Sequence, residues 1–530
     1  MSRLDRFAVV AVAALTFAVF VPALGCGLLD WDDAVAIFAN PHLRSFDWRW
    51  MFGELGYNPR YMPLTWLDWT VTYRLFGLRP LAYHLGNVVL HAANAALVYA
   101  LITQLTAKVR ARVTPWRAAA ATALATLLWS IHPLRVEPVT WATDRSYSQS
   151  LLFALAAVLL HLSWVRTGRR WRYALAVAAF AAAVLSYPIV LGVAAVLFLL
   201  DVAPLGRPLD RARVVEKLPY LALAAATLAL TMLARVAGGA LWHRPEGLAE
   251  FGARARAMQA AYVWAYYAWR PLVPVGLAPV YTVLVDFRPW SLPFVASALF
   301  VVTLSAAAWA LRRRAPWVLA AWGAHLVLLV PALGLTERPH YPNDRYDHVA
   351  AIVLSVVMAA LLLRARAALL AATLAVVVAL GALSVRQQAA WHDDVSLYVH
   401  TLETLGDDPY RVDLYDRLGD LYTRRGDLVH AVRAWDGAIA AQPDTPHARY
   451  ERARARFRLG DFAGSVADTD VLLGLHEEPA LRELRGLGLA QLGRLDDAIV
   501  ELARAAPGRP SAAHTVALVV VVRATVGTSL

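Results

Sequence analysis

The sequence predicts an all-α protein: a polytopic membrane helix bundle of about eleven spans, followed by a C-terminal helical solenoid. Three observations carry this. Of 530 residues, 59% are hydrophobic and only 17% charged, where soluble domains hold about a quarter charged. Apolar runs of spanning length recur as far as residue 385. Beyond about residue 410 the chain turns charged, with glycines at regular spacing.

A crossing helix needs about 20 predominantly apolar residues. Such runs lie near 7–25, 82–106, 117–131, 149–165, 172–187, 188–203, 218–236, 291–311, 316–334, 349–363 and 366–385. The first follows Arg3 and Arg6 and has signal-peptide character. No small-x-small cleavage pattern closes it, so it reads as a retained span. Basic residues cluster on every second connection: Arg3/Arg6, Lys108/Arg110, Arg166/Arg169, Arg207/Arg211, Arg312/Arg313 and Arg364/Arg366. The positive-inside rule then places the N-terminus in the cytoplasm and residues 26–81, 132–148, 237–290 and 335–348 outside. An odd number of spans puts everything after about residue 386 outside too. The composition, rich in Ala, Arg, Val and Leu, suggests a bacterial inner (plasma) membrane. The net charge of +12 is explained by these juxtamembrane residues, so no nucleic-acid partner is expected. The single cysteine, Cys26, excludes an internal disulfide.

The first outer loop, 26–81, is long and rich in Trp, Tyr, Pro and Asp. Disordered segments lack such aromatic content. Short amphipathic helices on the membrane surface are expected near 46–54 and 63–76. Residues 253–281 carry Trp264, Tyr266, Tyr267 and Trp269, which suits a helix at the outer interface; a re-entrant segment is the alternative.

In the tail, Gly426-Asp427, Gly460-Asp461 and Gly493-Arg494 recur at periods of 34 and 33. That is the tetratricopeptide period. The copy from Val412 carries Leu418, Gly419, Tyr422, Ala431, Trp435 and Pro443 at the expected offsets. The domain expectation is therefore a membrane domain at 1–390, about three repeats at 391–510 and a tail at 511–530. The tail's apolar run, 515–522, is too short to span and reads as a capping or docking segment.

Four clusters could carry chemistry. Asp30, Asp32 and Asp33 follow the first span. Adjacent carboxylates can deprotonate a hydroxyl or hold a divalent cation; a hydrated helix exit gives the same pattern. His84, Asn87, His91 and Asn94 share one face of the second span, as a site or as interhelical hydrogen bonds. The second outer loop brings His132, Arg135, Glu137, Asp144 and Arg145 together. Its arginines suit a phosphate, because the guanidinium fork bonds bidentately; a loop clamp of ion pairs uses the same residues. The stretch from Glu337 to His348 adds Asp344 and Arg345, open to the same two readings. No P-loop, Rossmann glycine pattern, zinc-ligand spacing or Gly-x-Ser-x-Gly elbow is present.

In order, Trp31-Asp32-Asp33, Asn40-Pro-His-Leu43, Tyr61-x-Pro-Leu-Thr-Trp66, Tyr83-His84-x-x-Asn87, His132-Pro-Leu-Arg-x-Glu137 and Asp344-Arg-Tyr346, then the repeats, resemble one family. This is the transmembrane and tetratricopeptide-repeat (TMTC-like) proteins and their bacterial relatives, among the GT-C glycosyltransferases. Its animal members are O-mannosyltransferases. The resemblance implies a GT-C bundle and a polyprenyl-phosphate-linked sugar donor. It implies transfer with inversion to a hydroxyl of a protein or glycan acceptor. Asp32 and Asp33 match the catalytic acidic pair. Arg135, Arg145 and Arg345 are the implied holders of the lipid phosphate. His84, His132, Glu137, Asp144 and Asp344 are the remaining substrate-site candidates. No metal site is expected, a divalent cation being the one cofactor left open. The repeats would recruit the acceptor. The alternative is an inactive membrane scaffold that binds partners through its repeats. Two departures stand out: Asp144-Arg-Ser-Tyr147 where the family has Glu-Arg-Lys-Asp, and Tyr187-Pro188 where it has Lys-Pro.

Overall fold

The computed structural model describes residues 2–58, 60–238, 246–281, 288, 290–336, 340 and 342–527, with the backbone alone for 525–527. Glu337, Arg338, Pro339 and Tyr341 of the fourth candidate stretch lie outside these residues. The chain forms two compact units, Met1–Leu397 and Tyr398–Leu530. Every regular element among the described residues is helical.

In the first unit, six helices are long and apolar enough to cross a membrane: Pro80–Leu105, Arg145–Thr167, Pro188–Leu205, Arg211–Ala237, Leu292–Arg313 and Ala367–Trp391. A pair bent by 51°, Asp344–Ala350 with Ile352–Leu362, makes a seventh. This is an integral membrane protein. The other four of the eleven expected spans fall on short helices. Arg3–Val19 and Arg170–Ser186 have 17 residues and Pro115–Ser130 has 16; the fourth is Pro316–Ala332. Seventeen residues rise about 25 Å, less than a hydrocarbon core of about 30 Å. Proline sets several of these ends. Pro115 and Pro316 occupy first-turn positions, where the missing N–H costs nothing. Tyr187, ahead of Pro188, is forced extended at φ −165° and ψ 134° and stops the helix there.

The polar face of Pro80–Leu105 resolves as a ladder of staples. His84, Asn87, His91 and Asn94 are all buried. Asn87 donates to Trp141 O and Asn94 to Ser148 O, both at 2.8 Å, while His91 Nε2 lies 2.7 Å from Ser130 O. Each of these side chains thus ties the helix Pro80–Leu105 to a backbone carbonyl of another segment. Such bonds average about 0.6 kcal/mol in membrane proteins and fix helix register.

The first outer loop contains two helices in the expected stretches, Trp48–Gly53 and Pro63–Phe76. The helix Ala253–Trp269 differs from the expectation of an interfacial aromatic face. Tyr262, Tyr266 and Tyr267 are buried in the protein, and only Trp269 is well exposed. Tyr267 explains why: its hydroxyl donates to Asn343 O at 2.6 Å, an acceptor inside the unit.

The second unit stacks three helix pairs: Arg411–Arg424 with Leu428–Ala441, Pro446–Leu459 with Phe462–Leu473, and Pro479–Gln491 with Leu495–Ala505. Pro510–Gly527 packs its apolar residues on the last pair, so the tail caps the stack. Within the first pair, Gly419 lies against the buried Trp435 ring and Gly437 against Tyr415. A Cβ at either position would enter the ring's own space. Gly419→Val should therefore destabilise this pair by about 1–3 kcal/mol, the usual cost of overpacking. Limited proteolysis of the full chain should show faster cleavage within 411–441.

Candidate functional site

The site is built from the turn after the first helix. Leu29 N–H donates to Asp33 Oδ2 at 2.9 Å, so the turn closes over its own carboxylate. Asp33 Oδ1 accepts from Thr143 N–H at 2.9 Å and from the Thr143 hydroxyl. Asp33 is fully buried. Burial pushes its pKa up to about 7, opposed by the Leu29 and Thr143 hydrogen bonds and aided by nearby Asp32. Three further bonds pin the loop. Gly27 N–H donates to His392 O at 2.9 Å, and Asp30 N–H donates to Asp394 Oδ1 at 2.6 Å. His84 Nε2 meets Gly27 O at 3.2 Å, which places the proton on Nε2.

Asp32 faces the other way. It lines a small open pocket together with Asn58, Arg60, Thr143, Asp144, Tyr147, Tyr187 and Arg345. Arg345 is held from behind by the buried Glu137, which takes its backbone N–H at 3.1 Å and its guanidinium. The guanidinium also lies over the Trp141 ring, 5.2 Å from the centroid. Asp144 sits beside it with Oδ2 lacking a hydrogen-bond partner among the described residues. Burial holds the Asp144 carboxyl well above the usual range; Arg345 opposes this, while Glu137, Asp32 and Asp33 add to it.

Asp32, Asp144 and Arg345 thus share one cavity, with Asp33 and Glu137 packed directly behind. The other candidates stand elsewhere. Arg145 does not line the cavity, and its five N–H donors are all taken. Nε donates to Asn87 Oδ1 at 2.9 Å. Nη1 donates to Asp68 at 2.8 Å and Thr72 at 2.7 Å, and Nη2 to Ala82 O and Tyr83 O at 3.3 and 2.6 Å. No donor is left for a phosphate. Arg135 is also away from the cavity lining, buried and paired with Asp347 at 2.9 Å. His132 caps a turn: Nδ1 accepts from Leu134 N–H at 3.1 Å, so Nε2 carries the proton and donates to Pro271 O at 2.9 Å. Burial, with Arg135 nearby, pulls the His132 pKa down to about 3, so the ring is neutral. Asp344 turns to the Tyr281 hydroxyl at 2.7 Å. His84 holds the loop from a buried position.

Several lining residues escaped the sequence reading. Arg60 lies over the Tyr187 ring, 5.7 Å from its centroid. The Tyr147 and Tyr187 hydroxyls are 3.3 Å apart. The two departures from the family pattern therefore meet in one wall. The signal for Arg60 was a lone cation between Tyr57 and Tyr61 in an outer loop. Among the described residues, no group of three or more His, Cys, Asp or Glu is arranged to hold a metal ion. Asp33 Oδ2 accepts from Leu29 N–H and Oδ1 accepts from Thr143, so protein donors contact both oxygens.

The chain shares partial sequence similarity with known proteins. It is 27% identical over 169 residues to the protein O-mannosyl-transferase TMTC3 of Homo sapiens, which is 30% of this chain and 17% of that protein. It is 30% identical over 182 residues to Tmtc2 of Drosophila melanogaster (32% of this chain, 18% of that protein). To Tmtc1 of the same species it is 28% identical over 183 residues, or 32% and 20%. The similarity is distant and partial, spanning about a fifth of each relative's length. No family model matches the chain. The NMR structure of the first TPR domain of human RPAP3 aligns at 22% identity and a TM-score of 0.22, over 23% of this chain and all of that one.

Two measurements check this geometry. Arg145→Ala strands Asp68 and several buried acceptors. It should cost about 3 kcal/mol, the low end for a broken buried pair because Asp68 is partly exposed. The loss should register as a lower melting temperature. The second is a pH profile. Asp33 has a native pKa near 7 against an ordinary 3.8, so the folded protein keeps a proton that the unfolded chain releases. Its stabilisation is complete below about pH 4 and is lost as pH rises through 7. Thermal stability should fall across that interval, and Asp33→Asn should flatten the fall.

Proposed function

We propose that the Asp32 cavity is the active site of a GT-C membrane glycosyltransferase. It would move a mannose-like sugar from a polyprenyl-phosphate donor to a hydroxyl of a protein or glycan. One observation carries the reading: Asp32 and Arg345 line the same cavity, while Asp33 and Glu137 fix them from behind. The partial similarity to protein O-mannosyl-transferases supports it.

In this reading the acceptor oxygen attacks the anomeric carbon. The bond from that carbon to the phosphate oxygen breaks, and the lipid phosphate leaves with the electron pair. Asp32 takes the acceptor's proton as general base, and configuration inverts. Asp33 is a positioning residue that holds the turn. Arg345 and Arg60, the two guanidiniums of the cavity lining, face the leaving phosphate. Arg135 and Arg145 have no part in this step. The cavity faces the extracytoplasmic side of a bacterial inner membrane, with the N-terminus cytoplasmic and eleven crossings. The repeats, on the same side as the cavity, recruit the acceptor.

A second reading, an inactive scaffold acting through its repeats, is favoured by Tyr147 and Tyr187 standing where the family pattern has charge. The test is transfer by purified protein from synthetic polyprenyl-phosphate mannose. Asp32→Asn should lower the rate about 10²–10⁴-fold, the usual contribution of a general base, while leaving the melting temperature near wild type. Wild-type protein that transfers nothing would favour the scaffold. An unimpaired Asp32→Asn would remove Asp32 as the base.

A further inference from the structure

Two basic stretches between helices carry their charge differently. Around residues 201–217 the basic groups are matched within the protein. Arg207 pairs with Asp201 and Glu216, each at 2.9 Å, while Lys217 pairs with Asp201 and Arg213 with Glu216. The turn joining Arg145–Thr167 to Arg170–Ser186 is the opposite case. It holds Arg166, Arg169, Arg170 and Arg172 within seven residues, and the chain has no carboxylate between Asp144 and Asp201. Among the described residues, none of these four arginines is paired with an acid.

Neutral groups set two of them in place. Arg166 Nη2 donates to Gln104 Oε1 at 2.8 Å, and Arg172 Nη1 donates to the Ser163 and Thr167 hydroxyls. Gly168, in the left-handed region at φ 67°, ends the first helix. Arg169 and Arg170 are exposed, and their guanidinium forks have no partner among the described residues. Gln104 lies at the end of Pro80–Leu105, so the connection bearing Lys108 and Arg112 starts beside this turn. That connection adds positive charge, since no carboxylate lies between Asp68 and Glu137 either.

The helix that follows shows what the turn faces. Trp171, Leu175 and Ala178 are exposed at steps of four and three, which makes one apolar stripe along Arg170–Ser186. Trp171 is 53% exposed, and the Arg172 guanidinium lies over its ring, 5.2 Å from the centroid. An exposed Trp at the end of an apolar helix sits at the headgroup level of a bilayer. Arg169 and Arg170 directly precede it. Their guanidiniums are therefore at phosphate depth, with a surface for acyl chains alongside. A guanidinium fork bonds phosphate oxygens bidentately, and basic clusters at the ends of membrane helices recruit anionic headgroups. A soluble polyanion would use the arginines alone and leave Trp171 and Leu175 in water.

We propose that the turn 166–172 is a docking site for an anionic phospholipid. Arg169 and Arg170 hold its phosphate, and its acyl chains lie along Trp171 and Leu175. The positive-inside rule assigns this turn to the cytoplasmic leaflet. The site is independent of the transferase reading.

The test uses the full chain in detergent, titrated with phosphatidylglycerol or with phosphatidylcholine of the same acyl chains. Native mass spectrometry counts the bound lipid. The tightest-bound phosphatidylglycerol should bind at least tenfold better than phosphatidylcholine. Arg169→Gln combined with Arg170→Gln should weaken it at least tenfold. Arg169→Lys combined with Arg170→Lys should weaken it at least threefold, because an ammonium keeps the charge and loses the fork. Both side chains are exposed, so melting temperatures should stay near wild type. Inorganic phosphate and a single-stranded oligonucleotide should not displace the lipid. Equal binding of the two lipids overturns the proposal, as does binding indifferent to the glutamine pair. Wild-type affinity in the lysine pair reduces the site to diffuse charge and overturns it. Displacement by phosphate or oligonucleotide assigns the turn to a soluble anion and also overturns it.

Discussion

The candidate site depends on how one carboxylate is buried. Asp33 has no water to solvate it, so its oxygens must find protein donors. It finds them in Leu29, four residues back, and in Thr143, 110 residues on. The first outer loop is thereby fastened to the start of the helix Arg145–Thr167. Two residues beyond Thr143, Arg145 reaches to Asp68, Thr72 and Asn87, fastening the same junction to the helices Pro63–Phe76 and Pro80–Leu105. One polar chain of contacts therefore runs from the Asp32 turn into the bundle. Asp32 faces the cavity because its neighbour is committed on the other side.

The same rule explains what was legible in the sequence. Asp32 and Asp33 were identifiable because three carboxyls directly after an apolar run are costly unless used. The periods of 34 and 33 located the helix pairs of the second unit because Gly426, Gly460 and Gly493 each turn the chain between paired helices at positive φ, 78°, 84° and 76°. The arginines were not sorted. Residue type and side of the membrane were shared by Arg135, Arg145 and Arg345, but whether a guanidinium is already satisfied depends on acceptors scattered along the chain. For Arg145 these lie at 68, 72, 82, 83 and 87, a pattern no local spacing reveals. Arg60 was overlooked for the converse reason. Its partner Tyr187 is remote in sequence and looks like an ordinary helix end before Pro188.

Span counting fell short for a mechanical reason. Apolar composition continues through proline positions where helices cannot. Pro188 divides one continuous apolar stretch into Arg170–Ser186, shorter than a hydrocarbon core, and Pro188–Leu205. Tyr187 gains its place in the cavity wall from this interruption, because the extended residue ahead of Pro188 leaves the helix axis.

Charge balance sets the last constraint on the cavity. Asp32, Asp33, Glu137 and Asp144 crowd around Arg345, and four ionised carboxylates would repel an anionic phosphate. Burial holds the Asp144 carboxyl well above the usual range, opposed by Arg345. Glu137 is matched by Arg345. Asp33 gives up its proton only near pH 7 and faces away from the cavity. The wall contributed by Tyr147 and Tyr187 is neutral, and Arg60 stacks on the Tyr187 ring there.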